Sequence, residues 1–229
     1  MASEAEPQVA AADESFEGVS PDAARRLLLG AVDAFAERGF HATTTRDIAS
    51  RAGMSPAALY IHYKTKEELL FQISKVGHER SVSVLAEAAE GGGGDEAAAG
   101  GDSARLARAV RSFVRWHAEH HTTARVVQYE LAALGEEHYE EIVGLRRRSE
   151  EILRGVLESG CASGEFEVAD VRGTTLAVMS LCIDVARWYS PSGRRSPYEI
   201  GSLYADLVLR MVAPQGPVDG GGQSTAGSG

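Results

Sequence analysis

Helix-initiation signals punctuate this sequence at five places, and they limit what it can fold into more than any other feature. Ser20-Pro21 and Ser55-Pro56 each set a capping hydroxyl before a proline. The fixed φ of proline suits a first helical turn, and its missing N–H is not needed there. Thr44-x-x-Asp47 and Thr65-x-x-Glu68 have the capping-box spacing, in which hydroxyl and carboxylate each bond the other's backbone N–H. Ser196-Pro197-x-Glu199 combines both devices. Apolar residues recur at helical period after these starts: Leu27, Leu28, Ala31 and Phe35 in one stretch, and Ile200, Leu203, Tyr204, Leu207, Val208, Met211 and Val212 in another. Strict alternation over a strand length is hard to find. The expected fold class is therefore all-α, with helices near 21–38, 45–52, 56–62, 66–89, 103–120, 123–134, 136–161, 170–189 and 197–212.

The 229 residues, 44% hydrophobic and 24% charged, suffice for one large or two small cores. No apolar run reaches the roughly 18 residues of a membrane span. Residues 1–18 lack the apolar stretch with basic flank of a secretory signal, so the cytoplasm is the expected location. Two cysteines, Cys161 and Cys182, cannot build a disulfide framework. Acidic, Ala-rich residues 1–18, the run GGGGDEAAAGG at 91–101 and the glycine-rich residues 214–229 offer little to bury and read as disordered.

A net charge of −10 argues against a general polyanion binder. The charge is uneven, however. Residues 21–80 hold nine basic groups against seven acidic ones, whereas the segments before and after are both net acidic. A nucleic-acid partner should meet that block. Within it, the helices near 45–52 and 56–62 are joined by Gly53-Met54-Ser55. Gly53 can take the left-handed conformation that ends a helix, and Ser55 caps the next helix at once. Two short helices with a tight glycine turn make a helix-turn-helix, here with Ile48, Ala49, Ala52 and Leu59 as its small core.

Thr43-Thr44-Thr45-Arg46-Asp47-Ile48-Ala49, Ala52-Gly53-Met54-Ser55 and Leu59-Tyr60-Ile61-His62-Tyr63-Lys64-Thr65-Lys66-Glu67-Glu68-Leu69, preceded by Phe35-Ala36-Glu37-Arg38-Gly39-Phe40, resemble the DNA-binding domain of TetR-family transcriptional regulators over about residues 21–72. The resemblance implies a homodimeric regulator, usually a repressor, released from its operator by a small molecule. The expected layout is a disordered acidic tail (1–19), a three-helix helix-turn-helix DNA-binding domain (20–66), a helical effector-binding and dimerisation domain (67–213, with a flexible loop at 91–101) and a disordered tail (214–229).

Roles follow by residue. Thr45 stands at a helix start where amides and a hydroxyl favour a phosphate, and Arg46 can reach a phosphate or a guanine edge. Ser55 faces the groove, and Pro56, Ala57 and Ala58 begin the recognition helix, with the two alanines small enough to meet thymine methyls. The resemblance puts Tyr60, His62 and Lys66 on the DNA backbone, with Lys64 as a fourth such group. Many relatives carry glycine or a polar residue where this chain has Pro56-Ala57-Ala58, which leaves the operator sequence open and shifts weight to DNA shape. Each role has a plainer rival: Arg46 pairing with Asp47 or Glu67, and Tyr60 packing inside the domain. Tyr63 is expected in the core.

The apolar segment 174–189 is expected to form a hairpin with the striped helix 197–212, and two copies a four-helix dimer seam. Such a dimer places recognition helices about 34–36 Å apart and predicts a pseudo-palindromic operator. Candidate lining residues for an effector pocket are Phe113, Trp116, His117, His120, Val127, Tyr129, Met179, Ile183, Arg187 and Trp188, any of which core packing also explains. The segment Ala186-Arg187-Trp188-Tyr189-Ser190-Pro191-Ser192-Gly193 resembles a signature of family members that answer acyl-CoA thioesters. An arginine beside an aromatic suits an anionic, partly apolar ligand.

Other classes fare worse. There is no G-x-S-x-G, H-E-x-x-H or phosphate loop, so no enzyme and no cofactor are expected. His117, His120 and His121 share a helix face and raise a metal-sensor alternative, although solvated or pocket-lining histidines are the commoner reading. Cys161 and Cys182 raise a redox alternative, against which stands the apolar helix around Cys182.

Overall fold

The computed structural model describes residues 16–91 and 100–214. The disorder expected for 1–15, 92–99 and 215–229 lies outside the described residues. The chain order is α1 (Asp22–Arg38), α2 (Thr45–Arg51), α3 (Pro56–His62), α4 (Lys66–Glu90), α5 (Gly101–Glu119), α6 (His121–Tyr129), α7 (Glu136–Ser163), α8 (Val171–Trp188) and α9 (Pro197–Val212). A 3-10 turn, Leu131–Ala133, separates α6 from α7. Among the described residues there is no strand, and no helix is long and apolar enough to cross a membrane.

Most of the initiation signals operate as their chemistry dictates. The Thr44 hydroxyl accepts the Asp47 N–H, and the Asp47 carboxylate accepts the Thr44 N–H at 2.9 Å. Ser196 and Glu199 exchange the same pair of bonds, and Ser55 accepts the Ala58 N–H at 3.2 Å. Two expectations need correction. Ser20 does not cap α1: Pro21 occupies the cap position, with no side-chain bond. Thr65 caps α4, but the Glu68 carboxylate bonds the Lys64 N–H at 2.7 Å instead of returning to Thr65. The N-terminal boundary also moves. Phe16 is fully buried in the core of the helix-turn-helix unit with Val19 packed beside it, so folded structure begins before residue 20.

α5 begins at Gly101 rather than 103. The Glu165 carboxylate, from the α7–α8 connection, accepts the N–H groups of Asp102 and Ser103 at 2.9 and 2.8 Å. The Ser103 hydroxyl, together with these two N–H groups, holds the Glu165 carboxyl below the usual carboxylate range.

Two main cores result. One, around Leu27, Phe35, Ile48, Leu59 and Leu69, joins α1–α3 to the start of α4. Each such fully buried side chain contributes about 1.5–3 kcal/mol. It also contains Val126 and Val127 of α6, so the N-terminal unit and the helical body share packed side chains. The other core lies among α4, α5, α7, α8 and α9, with Phe166 beneath α7. Here the expected α8–α9 hairpin is corrected: the closest neighbour of α9 is α5, not α8. Gly201 permits this, since a Cβ there would meet the Arg111 carbonyl oxygen at 2.7 Å.

Candidate nucleic-acid interface and internal cavity

The turn after α2 is built by Gly53, at φ 66°, in the left-handed region that costs a side-chain-bearing residue energy. Arg26 reaches from α1 to bond the Ala52 carbonyl at the end of α2. Ile48, Ala49 and Leu59 are fully buried, and the Tyr63 hydroxyl donates to the Ala24 carbonyl at 3.3 Å. Burial pushes the Tyr63 phenol up to about 12, as fits a core residue. α3 is thereby fixed with its other face outward.

That outward face holds most of the residues read from the sequence. Arg46, Ser55, Pro56, Ala57, Tyr60 and Lys64 are exposed, and Thr45, Ala58 and His62 are half-buried. The Thr45 and Tyr60 hydroxyls lie 3.1 Å apart, which brings the start of α2 and the end of α3 into one polar surface. Neither rival partner takes Arg46: Asp47 bonds Thr44 and pairs with Arg38, whereas Glu67 bonds His138. Lys66 departs from expectation. Its ammonium donates to the Phe40 and Thr43 carbonyls at 2.6 and 2.7 Å and sits over the Phe40 ring. It closes the α1–α2 loop instead of standing free for a phosphate. Ile61, 79% exposed, was missed. Its signal was available, since Ala57, Tyr60 and Ile61 fall at i, i+3 and i+4, on the face opposite Leu59.

A cavity of about 220 Å³ lies among α4–α8. Of the ten expected lining residues, Phe113, Trp116, His117, Val127, Met179 and Ile183 surround it. Tyr129 and Arg187 line an adjoining groove with Arg125 and Arg146. His120 lies on the other side of Trp116, beside Arg80 and Arg115. Trp188 is an outer-surface residue, stacked near Tyr204. The sequence reading missed the contribution of α4 and α7, notably His78, Arg146 and Ser149. The signal for α4 was Ser74, Gly77 and Ser81, small residues at helical spacing that leave room beside the imidazole. Arg187 is held by Asp184 at 2.7 and 2.8 Å. Arg125 and Arg146 make no salt bridge among the described residues.

The histidines of α5 and α6 are used singly. His117 and His121 bond the Phe113 and Ala118 carbonyls, and His120 packs on Trp116. Among the described residues no group of three His, Cys, Asp or Glu side chains is placed to hold a metal ion. Cys182 is buried, and its thiol is pushed up to about 12, so the reactive thiolate does not form there near neutral pH.

Paired short helices with an exposed hydroxyl and guanidinium face, carried on a larger helical body, define a helix-turn-helix DNA-binding regulator. Residues 22–73 match the family model described as bacterial regulatory proteins, tetR family, and residues 99–212 match the tetracyclin repressor-like C-terminal domain. A solved bacterial regulatory protein of the tetR family from Rhodococcus RHA1 is 38% identical, with a TM-score of 0.77 over 86% of this chain and 100% of that one. The chain belongs to the TetR family of transcriptional regulators. The HTH-type transcriptional repressor KstR2 of Rhodococcus jostii (strain RHA1) is 29% identical over 189 residues, 82% of this chain and 89% of that protein. The structure of AibR in complex with isovaleryl coenzyme A and operator DNA shares the fold at a TM-score of 0.70 and 20% identity, over 84% of this chain and 98% of that one.

Proposed function

We propose that the protein is a homodimeric repressor that binds a pseudo-palindromic operator in the cytoplasm and is released from it by an acyl-CoA thioester. The observation that carries this reading is the position of α6. Val127 lines the cavity and also belongs to the core of the DNA-binding unit, so an occupant of the cavity presses on a helix that the reading head is packed against. The cavity itself is ringed by apolar and aromatic groups, and its neighbouring groove holds Arg125, Arg146 and Arg187. An apolar acyl group suits the first and coenzyme A phosphates suit the second. AibR, similar in fold, is seen with such a thioester and with DNA.

Leu181 on α8 and Leu207 and Met211 on α9 are about half exposed, which supports a two-fold seam on these helices. On DNA, Arg46, Thr45, Tyr60 and Lys64 meet the backbone or a guanine edge, and Ser55, Ala57, Ala58 and Ile61 face the groove.

Footprinting on the region upstream of the protein's own gene, with and without acyl-CoAs, tests this. The expected result is a two-fold protected site that reopens with thioester. Protection without symmetry, or unchanged by every thioester, overturns the respective half of the proposal.

A further inference from the structure

His78 and His117 are the two imidazoles in the cavity wall, and the polypeptide fixes the tautomer of both. The Nδ1 of His78 lies 2.8 Å from the Ser74 carbonyl, and that of His117 lies 2.8 Å from the Phe113 carbonyl. A carbonyl oxygen only accepts, so each Nδ1 carries the hydrogen. Burial drives both rings down to about 4, so they are neutral near pH 7 and each Nε2 is a bare acceptor. Among the described residues no protein donor reaches either Nε2. The Thr123 hydroxyl and the Trp116 indole N–H also lack partners among the described residues, but both atoms are sealed from the cavity and out of an occupant's reach.

A purely hydrocarbon occupant leaves both Nε2 atoms unpaired, and an unsatisfied buried polar atom is costly. A ketone oxygen only accepts, so it gives nothing to the histidines. A hydroxyl donates its hydrogen to an imidazole Nε2 and so satisfies an acceptor that a ketone cannot. We infer that the buried, apolar part of the effector carries a hydroxyl group that donates to the Nε2 of His78 or of His117. This rests on the acyl-CoA reading above and narrows it to hydroxyacyl thioesters.

The test is calorimetric titration of the purified protein with hexanoyl-CoA and its 3-hydroxy, 6-hydroxy and 3-oxo counterparts. At least one hydroxy compound is expected to bind about tenfold more tightly than hexanoyl-CoA, with the 3-oxo compound no tighter than hexanoyl-CoA. In His78→Phe or His117→Phe, the hydroxyl advantage shrinks while hexanoyl-CoA binds at least as well as before. If hexanoyl-CoA equals or exceeds both hydroxy compounds in the unaltered protein, the inference fails and the acyl-CoA reading stands. If no thioester binds, both fail. The comparison in the unaltered protein decides the matter even where a variant does not fold.

Discussion

The Glu130 carboxylate accepts the backbone N–H of Phe40 at 3.1 Å, across 90 positions of sequence. Glu130 directly follows α6, the helix that lines the cavity through Thr123, Ala124 and Val127. Phe40 sits in the α1–α2 loop, whose carbonyl also holds Lys66. A displacement at the end of α6 is therefore felt at the base of the helix-turn-helix. Glu130→Ala should leave DNA affinity within about threefold and effector affinity unchanged, yet reduce effector-driven loss of DNA affinity by about fivefold, a fraction of the 1–3 kcal/mol typical of such coupling. Fluorescence anisotropy of an operator duplex with saturating thioester reads this, and Glu130→Gln, which retains an acceptor, should restore most of it.

Arg46 and Lys66 should separate cleanly. Arg46→Ala removes an exposed guanidinium with no partner among the described residues, so DNA affinity falls and its salt dependence flattens by about one counterion, with the melting temperature unchanged. Lys66→Ala releases two loop carbonyls and should lower stability by about 1–2 kcal/mol by urea titration. A Lys66→Ala protein with parental stability and weakened DNA binding would restore the direct phosphate role.

Gly77→Leu tests the cavity without touching a charge. A Cβ at Gly77 meets only Val127 Cγ2 and Thr123 Cγ2, at 3.8 and 3.9 Å, which are ordinary contacts. The added side chain enters the cavity, and replacing a helical glycine gains about 0.8–1 kcal/mol of helix propensity. A protein at least as stable that binds operator but ignores thioester is expected. Retained release by effector would place the ligand elsewhere.

Acid should destabilise the fold through its buried imidazoles. His78 and His117 lie at about 4 when folded, against 6.5 for an unperturbed ring, and His121 is also lowered. Between pH 6.5 and 4 the unfolded chain binds more protons, so stability falls as pH falls, by about 1.4 kcal/mol per pH unit for each fully depressed histidine. The capping carboxylates Asp47, Glu165 and Glu199 are held below the ordinary range and lose their contribution at lower pH. Urea midpoints at pH 7.5, 6 and 5 should thus decline, and His117→Phe should flatten the decline by about one proton's worth.

Legibility in the sequence followed the range of each interaction. Thr44, Ser55 and Ser196 cap helices through partners three residues away, so chain order displayed them. Glu165 caps α5 from beyond α7, and no local pattern announces it. Glu68 had two N–H groups in reach and took that of Lys64, a choice that spacing does not decide. Lys66 was recognised as a cation by type, but its inward direction depends on the shape of a loop more than twenty residues earlier. In the cavity, the aromatic wall from α5 was visible by periodicity, whereas His78 required knowing that α4 faces it. Phe16 looked like part of an acidic tail because its burial site is made by distant helices.

With Lys66 drawn inward, Arg46 and Lys64 are the cations of the reading face without a partner among the described residues. On a chain of net charge −10 this keeps random duplex a poor resting place. Molecules that do not linger on the bulk of a chromosome scan it quickly, so a small number of copies can keep one promoter closed.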